Sequence, residues 1–216
     1  MVAPFRLGVG DLAPRQQSPT TCGSASLTVA RMLADPAFAH WVRTGLPREA
    51  AAVTTQAPDA GGVVSRFAAY EQVVAARTNG LAGPGGRLQL PWPRSLGTPP
   101  WGAARELELA LGRRHRVRWV RQRSTAGLGA AFNSLRSQAR PALLYVGSPT
   151  LPRHVVLVLP ADRGRGGDAL TDHLTVYEPS AGRVLEVHRE PFAARRLALA
   201  GWDVPWATVC ATPASR

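Results

Sequence analysis

The chain has 216 residues, 45% of them hydrophobic, which suits one globular domain with an apolar core. Its formal net charge of +12 comes wholly from arginine, since no lysine is present; so basic a balance favours acidic partners such as nucleic acid or anionic membrane, or else marks a surface with arginine scattered over it. The longest apolar runs, PALLYVG and HVVLVLP, have strand length and not the length of a membrane span, the start MVAPFRLGVGDLAP lacks a secretory pattern, and two cysteines allow neither a disulfide framework nor a zinc site of finger spacing.

In chain order, the first region reads as helical to about residue 78. Thr20 or Thr21 can cap a helix from Cys22 to Ala34, with Cys22, Ala25, Val29 and Leu33 on its apolar face. Asp35-Pro36 fits a cap followed by proline at the first helical position, and Gly45 ends that second helix. A third helix fits Val63 to Arg77, where Val63, Phe67, Tyr70 and Val74 recur at spacings of four and three. Ten of the 22 residues from Asn79 to Pro100 are Gly or Pro, so this segment is an irregular insertion. Trp92, between two prolines, reads as a surface-loop residue or as a rigid platform for a substrate chain.

Strand signals dominate the remainder. A helix near Ala103–Leu111 precedes GRRHRVRWVRQR, where Arg116 and Arg118 alternate with Val117 and Trp119; this is the period of a half-buried strand with a solvated basic face. A helix near Gly127–Gln138 follows. Then come RPALLYVG, RHVVLVLP, HLTVYEP, GRVLEVHR, a short helix opened by Pro191, and PWATVCATP. Turn formers such as ADRGRGGD and EPSAGR separate them. Sequential strands with short connections imply an antiparallel sheet. The fold class expected is therefore α+β, with an N-terminal helical part packed on a C-terminal antiparallel sheet, in a single domain.

Cys22 falls in or near the first turn of its helix, where unpaired N–H groups carry partial positive charge and favour a thiolate. Gly23 next to it leaves room for a substrate backbone. A nucleophilic thiol also needs a histidine brought near by the fold. Of the five, His40 lies in a helix among apolar residues, His115 in the arginine run, and His173 and His188 on strands without special placing. His154 opens the apolar strand HVVLVLP, where a polar residue can face a cleft. If that strand and HLTVYEP form a hairpin, Glu178 at the end of one meets His154 at the start of the other and can fix the imidazole tautomer. Oxyanion donors are available from the Cys22 N–H and from Gln16 or Gln17 just upstream. Cys210, on the last strand, reads as core.

Together, QQSPTTCGSASLTVARML, RHVVLVLP and LTVYEPSAGRV resemble the papain-like cysteine peptidases. Within them the chain is most similar to the bacterial domains that cut double-glycine leader peptides and to their stand-alone relatives. The resemblance covers the first 35 residues and roughly 140–210. It assigns Gln16, six residues before the nucleophile, as oxyanion donor in place of Gln17. Cys22, His154 and Glu178 become the triad, with Glu178 departing from the family's aspartate, and Gly182 matches the family's glycine. The implied activity is a peptidase working through a thioester on a protein or peptide, after small residues such as Gly-Gly, with no cofactor or metal. Export-coupled leader processing would need a separate partner. A protease toxin or effector is a second role, with the protein cytoplasmic or exported without a classical signal peptide. An acyl transferase or deamidase on the same fold, and a non-catalytic nucleic-acid- or peptide-binding module, are the alternatives.

Overall fold

A computed structural model describes residues 4–46, 62–160 and 172–213. The helical region resolves into α1 (Cys22–Ala34), α2 (Pro36–Thr44), α3 (Val63–Asn79) and α4 (Pro100–Leu111). After it come β1 (His115–Trp119), α5 (Thr125–Arg136), β2 (Ala142–Gly147), β3 (Pro152–Val158), β4 (His173–Glu178), β5 (Arg183–His188), α6 (Arg189–Ala193) and β6 (Val204–Ala211). The six strands form one sheet in the order β1-β6-β2-β3-β4-β5, and every adjacent pair is antiparallel. The helix-then-antiparallel-sheet layout expected of the chain is the one observed. The expected turn ADRGRGGD lies outside the described residues.

Local chemistry explains most element ends. Asp35 accepts from the N–H groups of Ala37 and Phe38, and Pro36 occupies the first position of α2, as the sequence predicts. Gly45 closes α2 in the left-handed conformation. Several boundaries shift by a few residues from expectation, and two of the shifts have a local cause. α4 starts at Pro100, not Ala103, because Pro100 fits the first helical position. α5 starts at Thr125 rather than Gly127, because the Ser124 hydroxyl accepts from Gly127 N–H and caps it. The Gly/Pro-rich segment holds only two single 3-10 turns, Pro84–Gly86 and Arg94–Leu96, and an isolated bridge between Ala82 and Leu88.

Helices cover both sheet faces. α1 to α4 meet Leu143, Tyr145, Val155, Leu157, Ala207 and Val209 in one core. α5 and α6 meet Ala142, Leu144, Val146, Val156, Val158 and Val176 in the other. β2 is buried at every position, and β3 is buried except at Arg153. This is why those two strands read as continuous apolar runs instead of alternating ones. β1, at the edge, keeps the expected alternation only in part: Arg116 and Arg118 are exposed and Val117 is half-buried, but Trp119, expected on the buried face, is exposed at the strand end. Cys210 is buried in the second core, as its strand position suggested. Among the described residues no helix is long and apolar enough to cross a membrane.

The second core rests on Phe132, fully buried and edge-on to Phe192 at 5.5 Å. Phe132→Ala should cost about 3–5 kcal/mol, read by urea denaturation. Leu90→Ala, at a side chain 72% exposed, should stay within about 0.5 kcal/mol of the parent.

Candidate active site

α1 carries its cysteine at the first helical position. Thr21 occupies the cap position, but its hydroxyl does not cap the helix as expected. It donates to the Ser18 carbonyl at 2.9 Å and accepts from Ser18 N–H at 3.1 Å, closing a tight turn just before the helix. The Cys22 N–H, at the first position, has no intrahelical acceptor. Cys22 is 2% exposed. The seam between α1 and β3 is marked by the Ser26 hydroxyl, which donates to the carbonyl of Val155, one residue past His154.

His154 enters the site at the end of the sheet. It pairs with Val146 just before β2 and β3 shift register at Val146/Gly147. A Cβ on Gly147 would collide with the Leu151 carbonyl, so only glycine lets the β2–β3 turn close here. The imidazole Nε2 lies 2.7 Å from Glu178 Oε1. The Cys22 side chain lies close enough to act on His154, and with Nε2 committed to Glu178, Nδ1 is the ring nitrogen left for the thiol. Thiol, imidazole and carboxylate thus form one buried line, with His154 5% and Glu178 3% exposed.

The β3–β4 register explains why a glutamate serves. Leu157 pairs with Tyr177 and Val158 with Val176. Extending that register places Val156 opposite Glu178, so His154 is the next outward residue on the same face. Diagonal neighbours across strands are about 7–8 Å apart, a span that a long side chain bridges. The carboxylate is then fully engaged. Oε1 accepts from His154 and from Ser180 N–H at 2.9 Å; Oε2 accepts from the Ser180 hydroxyl at 2.9 Å and Ala181 N–H at 2.7 Å. Ser180 and Ala181 were not singled out in the sequence, although the EPSAG turn is the signal that could have found them. Gly182 completes the turn at φ +63°, and a Cβ there would lie 2.8 Å from the Ala13 carbonyl.

The electrostatics follow from these contacts. Burial is the largest influence on Glu178 and opposes its charge, but the hydrogen bonds from His154, Ser180 and Ala181 together outweigh it and hold the carboxyl at about 2. Burial likewise opposes protonation of His154, yet the hydrogen bonds and negative charges of Cys22 and Glu178 raise it to about 9. The imidazole therefore carries its proton at neutral pH. Tyr145, buried on β2, is kept neutral by burial and then by the charge of Cys22.

The same turn binds the upstream segment. Gln16 N–H donates to the Pro179 carbonyl at 2.9 Å, Ala13 N–H to Gly182 at 2.8 Å, and Arg15 Nε to Ser180. Tyr177, at the end of β4, donates its hydroxyl to the Pro14 carbonyl. Gln16 Nε2 donates one N–H to Ser18 at 2.8 Å; its Oε1 is buried without a partner. Gln17 instead turns its amide to the Arg15 carbonyl on the exposed side.

Two expected substrate contacts are placed differently. The space beside Gly23 is filled by Thr98 of the Gly/Pro-rich segment, whose Cβ a Gly23 Cβ would meet at 2.6 Å, so this glycine admits a packed loop and not a substrate backbone. Trp92 stands edge-on to Trp101 of α4 at 5.1 Å, a ring contact with that helix and not with Cys22, His154 or Glu178. The other histidines stay apart from the thiol. His115 bonds the Arg113 carbonyl, His173 and His188 flank Glu186, and His40 remains on α2. Among the described residues no three His, Cys, Asp or Glu side chains gather as a metal would require.

The pair makes a signed pH prediction. The stability that His154 contributes is complete below its unfolded value near 6.5 and is lost as pH rises through about 9. The Glu178 contribution is complete above its unfolded value near 4.5 and is lost as pH falls through about 2. Both are whole between those unfolded values. Urea titrations across pH should show highest stability in that window. Glu178→Gln should weaken the acid limb and shrink the alkaline one; an unchanged profile in that variant would contradict the assignment.

No family model and no curated protein matches the sequence. Among solved structures, the crystal structure of the Pseudomonas avirulence protein AvrPphB aligns over 93% of this chain and 95% of that one, at a TM-score of 0.47 and 13% identity.

Proposed function

We propose that this chain is a cysteine peptidase with a Cys22–His154–Glu178 triad. The observation that carries the reading is the buried line itself: a thiol at a helix N terminus, beside an imidazole whose Nε2 rests on a carboxylate that three further hydrogen bonds hold.

The chemistry follows. His154 takes the thiol proton to form a thiolate–imidazolium pair, and the Cys22 sulfur attacks an amide carbonyl carbon. The oxyanion takes hydrogen bonds from the Cys22 N–H and from the second N–H of the Gln16 amide, whose first is engaged by Ser18. His154 gives its proton to the departing amine as the C–N bond breaks. Neutral His154 then takes a proton from water, the hydroxyl attacks the thioester, and the sulfur leaves as thiolate. Glu178 keeps Nε2 protonated and the ring in place throughout.

A cysteine only 2% exposed favours small residues at the cleaved bond, in keeping with the Gly-Gly preference that the sequence resemblance implies. A cavity of about 350 Å³ lies between the turn before α1, the end of α3 and the Gly/Pro-rich segment, lined by Thr20, Thr21, Gln72, Asn79, Arg94 and Gly97; Cys22 and His154 do not line it.

The test is mass spectrometry of a proteome incubated with the protein and with Cys22→Ala. New peptide termini that depend on Cys22, after small residues, support the reading. Side-chain deamidation or conjugation without cuts would assign the transferase or deamidase alternative instead. His154→Ala should abolish cleavage as Cys22→Ala does, and Gln16→Ala should lower kcat by roughly 10²–10³. Full cleavage by the Cys22 variant would sink the proposal.

A further inference from the structure

Glu71 is a fully buried carboxylic acid on α3, beneath the Gln16–Cys22 segment, that the chemistry above does not use. Its Oε1 accepts from Gln17 N–H at 3.3 Å, the Thr21 hydroxyl, bonded to Ser18, lies close enough to act on it, and its Oε2 is buried without a partner. The facing ionisable group is Tyr177 of β4. Among the other charged side chains on the packed helices, Arg31 and Arg77 engage Tyr70, and Arg77 pairs with Glu106. Burial pushes Glu71 upward, and the Thr21 and Gln17 bonds only partly offset it.

The hydrogen bonds link this acid to the oxyanion amide. Thr21 donates its hydroxyl and its N–H to the Ser18 carbonyl, and Gln16 Nε2 rests on that same oxygen. Three donors converge on one carbonyl with two lone pairs. The Thr21 hydroxyl can therefore turn to Glu71 or to Ser18, and that choice sets how firmly Gln16 is held. We infer that Glu71 is a positioning residue, which orients the Gln16 amide through Gln17, Thr21 and the Ser18 carbonyl. This inference rests on the oxyanion role proposed for Gln16.

Two readouts test it. The first needs no substrate: the side-chain amide signals of Gln16 in a nitrogen–proton NMR spectrum, identified by their loss in Gln16→Ala. They should be resolved and immobile in the parent and in Glu71→Gln, whose amide still accepts from Gln17 and can donate to Thr21. They should shift and average in Glu71→Ala and in Thr21→Val, a near-isosteric change that keeps the fold. An unmoved Gln16 signal in Thr21→Val overturns the inference whether or not any substrate is cleaved. The second is turnover. Glu71→Ala and Thr21→Val should lower kcat by roughly 10- to 100-fold with KM little changed, Glu71→Gln should recover most of the loss, and Glu71→Ala in a Gln16→Ala background should add under about threefold. Additive losses, or a Glu71→Gln variant as impaired as Glu71→Ala, overturn it. An inactive parent would instead count against the peptidase reading.

Discussion

A carboxylate buried at the end of a sheet has to be fully hydrogen-bonded or it will not stay charged. Glu178 meets that demand with Ser180, Ala181 and His154. Much of the site depends on this arrangement. The turn that wraps the carboxylate also exposes the carbonyls of Pro179, Ser180 and Gly182, and these hold the backbone of Gln16, the guanidinium of Arg15 and the backbone of Ala13. One five-residue turn thereby fixes the imidazole on one side and the segment leading to the nucleophile on the other.

The second constraint is the packing of α1 on the sheet. A helix N terminus stabilises negative charge only over its first turn, so the thiol has to sit at the first positions and the imidazole has to come to it. Ser26 ties α1 to β3 one residue beyond His154, and Thr98 packs against Gly23 from the far side while accepting the Tyr145 hydroxyl on its carbonyl. The Gly/Pro-rich segment thus acts as a wall of the site. Through Thr98 it packs on Gly23 and Ser24, the two residues after Cys22.

Much of this was legible in the sequence, for physical reasons that differ by element. Asp35-Pro36 and Gly45 bracket α2 because capping and left-handed backbone demand particular residue types. The pair His154 and Glu178 could be inferred because antiparallel strands joined in sequence must bring their outer ends together, whatever lies in the connecting turn. Thr21 was misread because a threonine before a helix satisfies a cap and a preceding turn equally well by composition; the turn with Ser18 won. Gly23 was misread because a missing Cβ admits whatever packs there, and only the fold brings Thr98 to it.

By itself the sequence determined the elements, their antiparallel order and the residues that could form the triad. Periodicity, caps and turns are local properties, and a hairpin couples neighbours in the chain. The tertiary structure decided what distant segments do to one another. It showed that helices cover both faces of the sheet, that Thr98 packs on Gly23, and that Glu71 on α3 lies buried beneath the segment before Cys22, 54 residues from Gln17. Contacts between residues so far apart carry no periodic signature, because what selects them is the shape of the packed surfaces and the need to satisfy each buried polar atom.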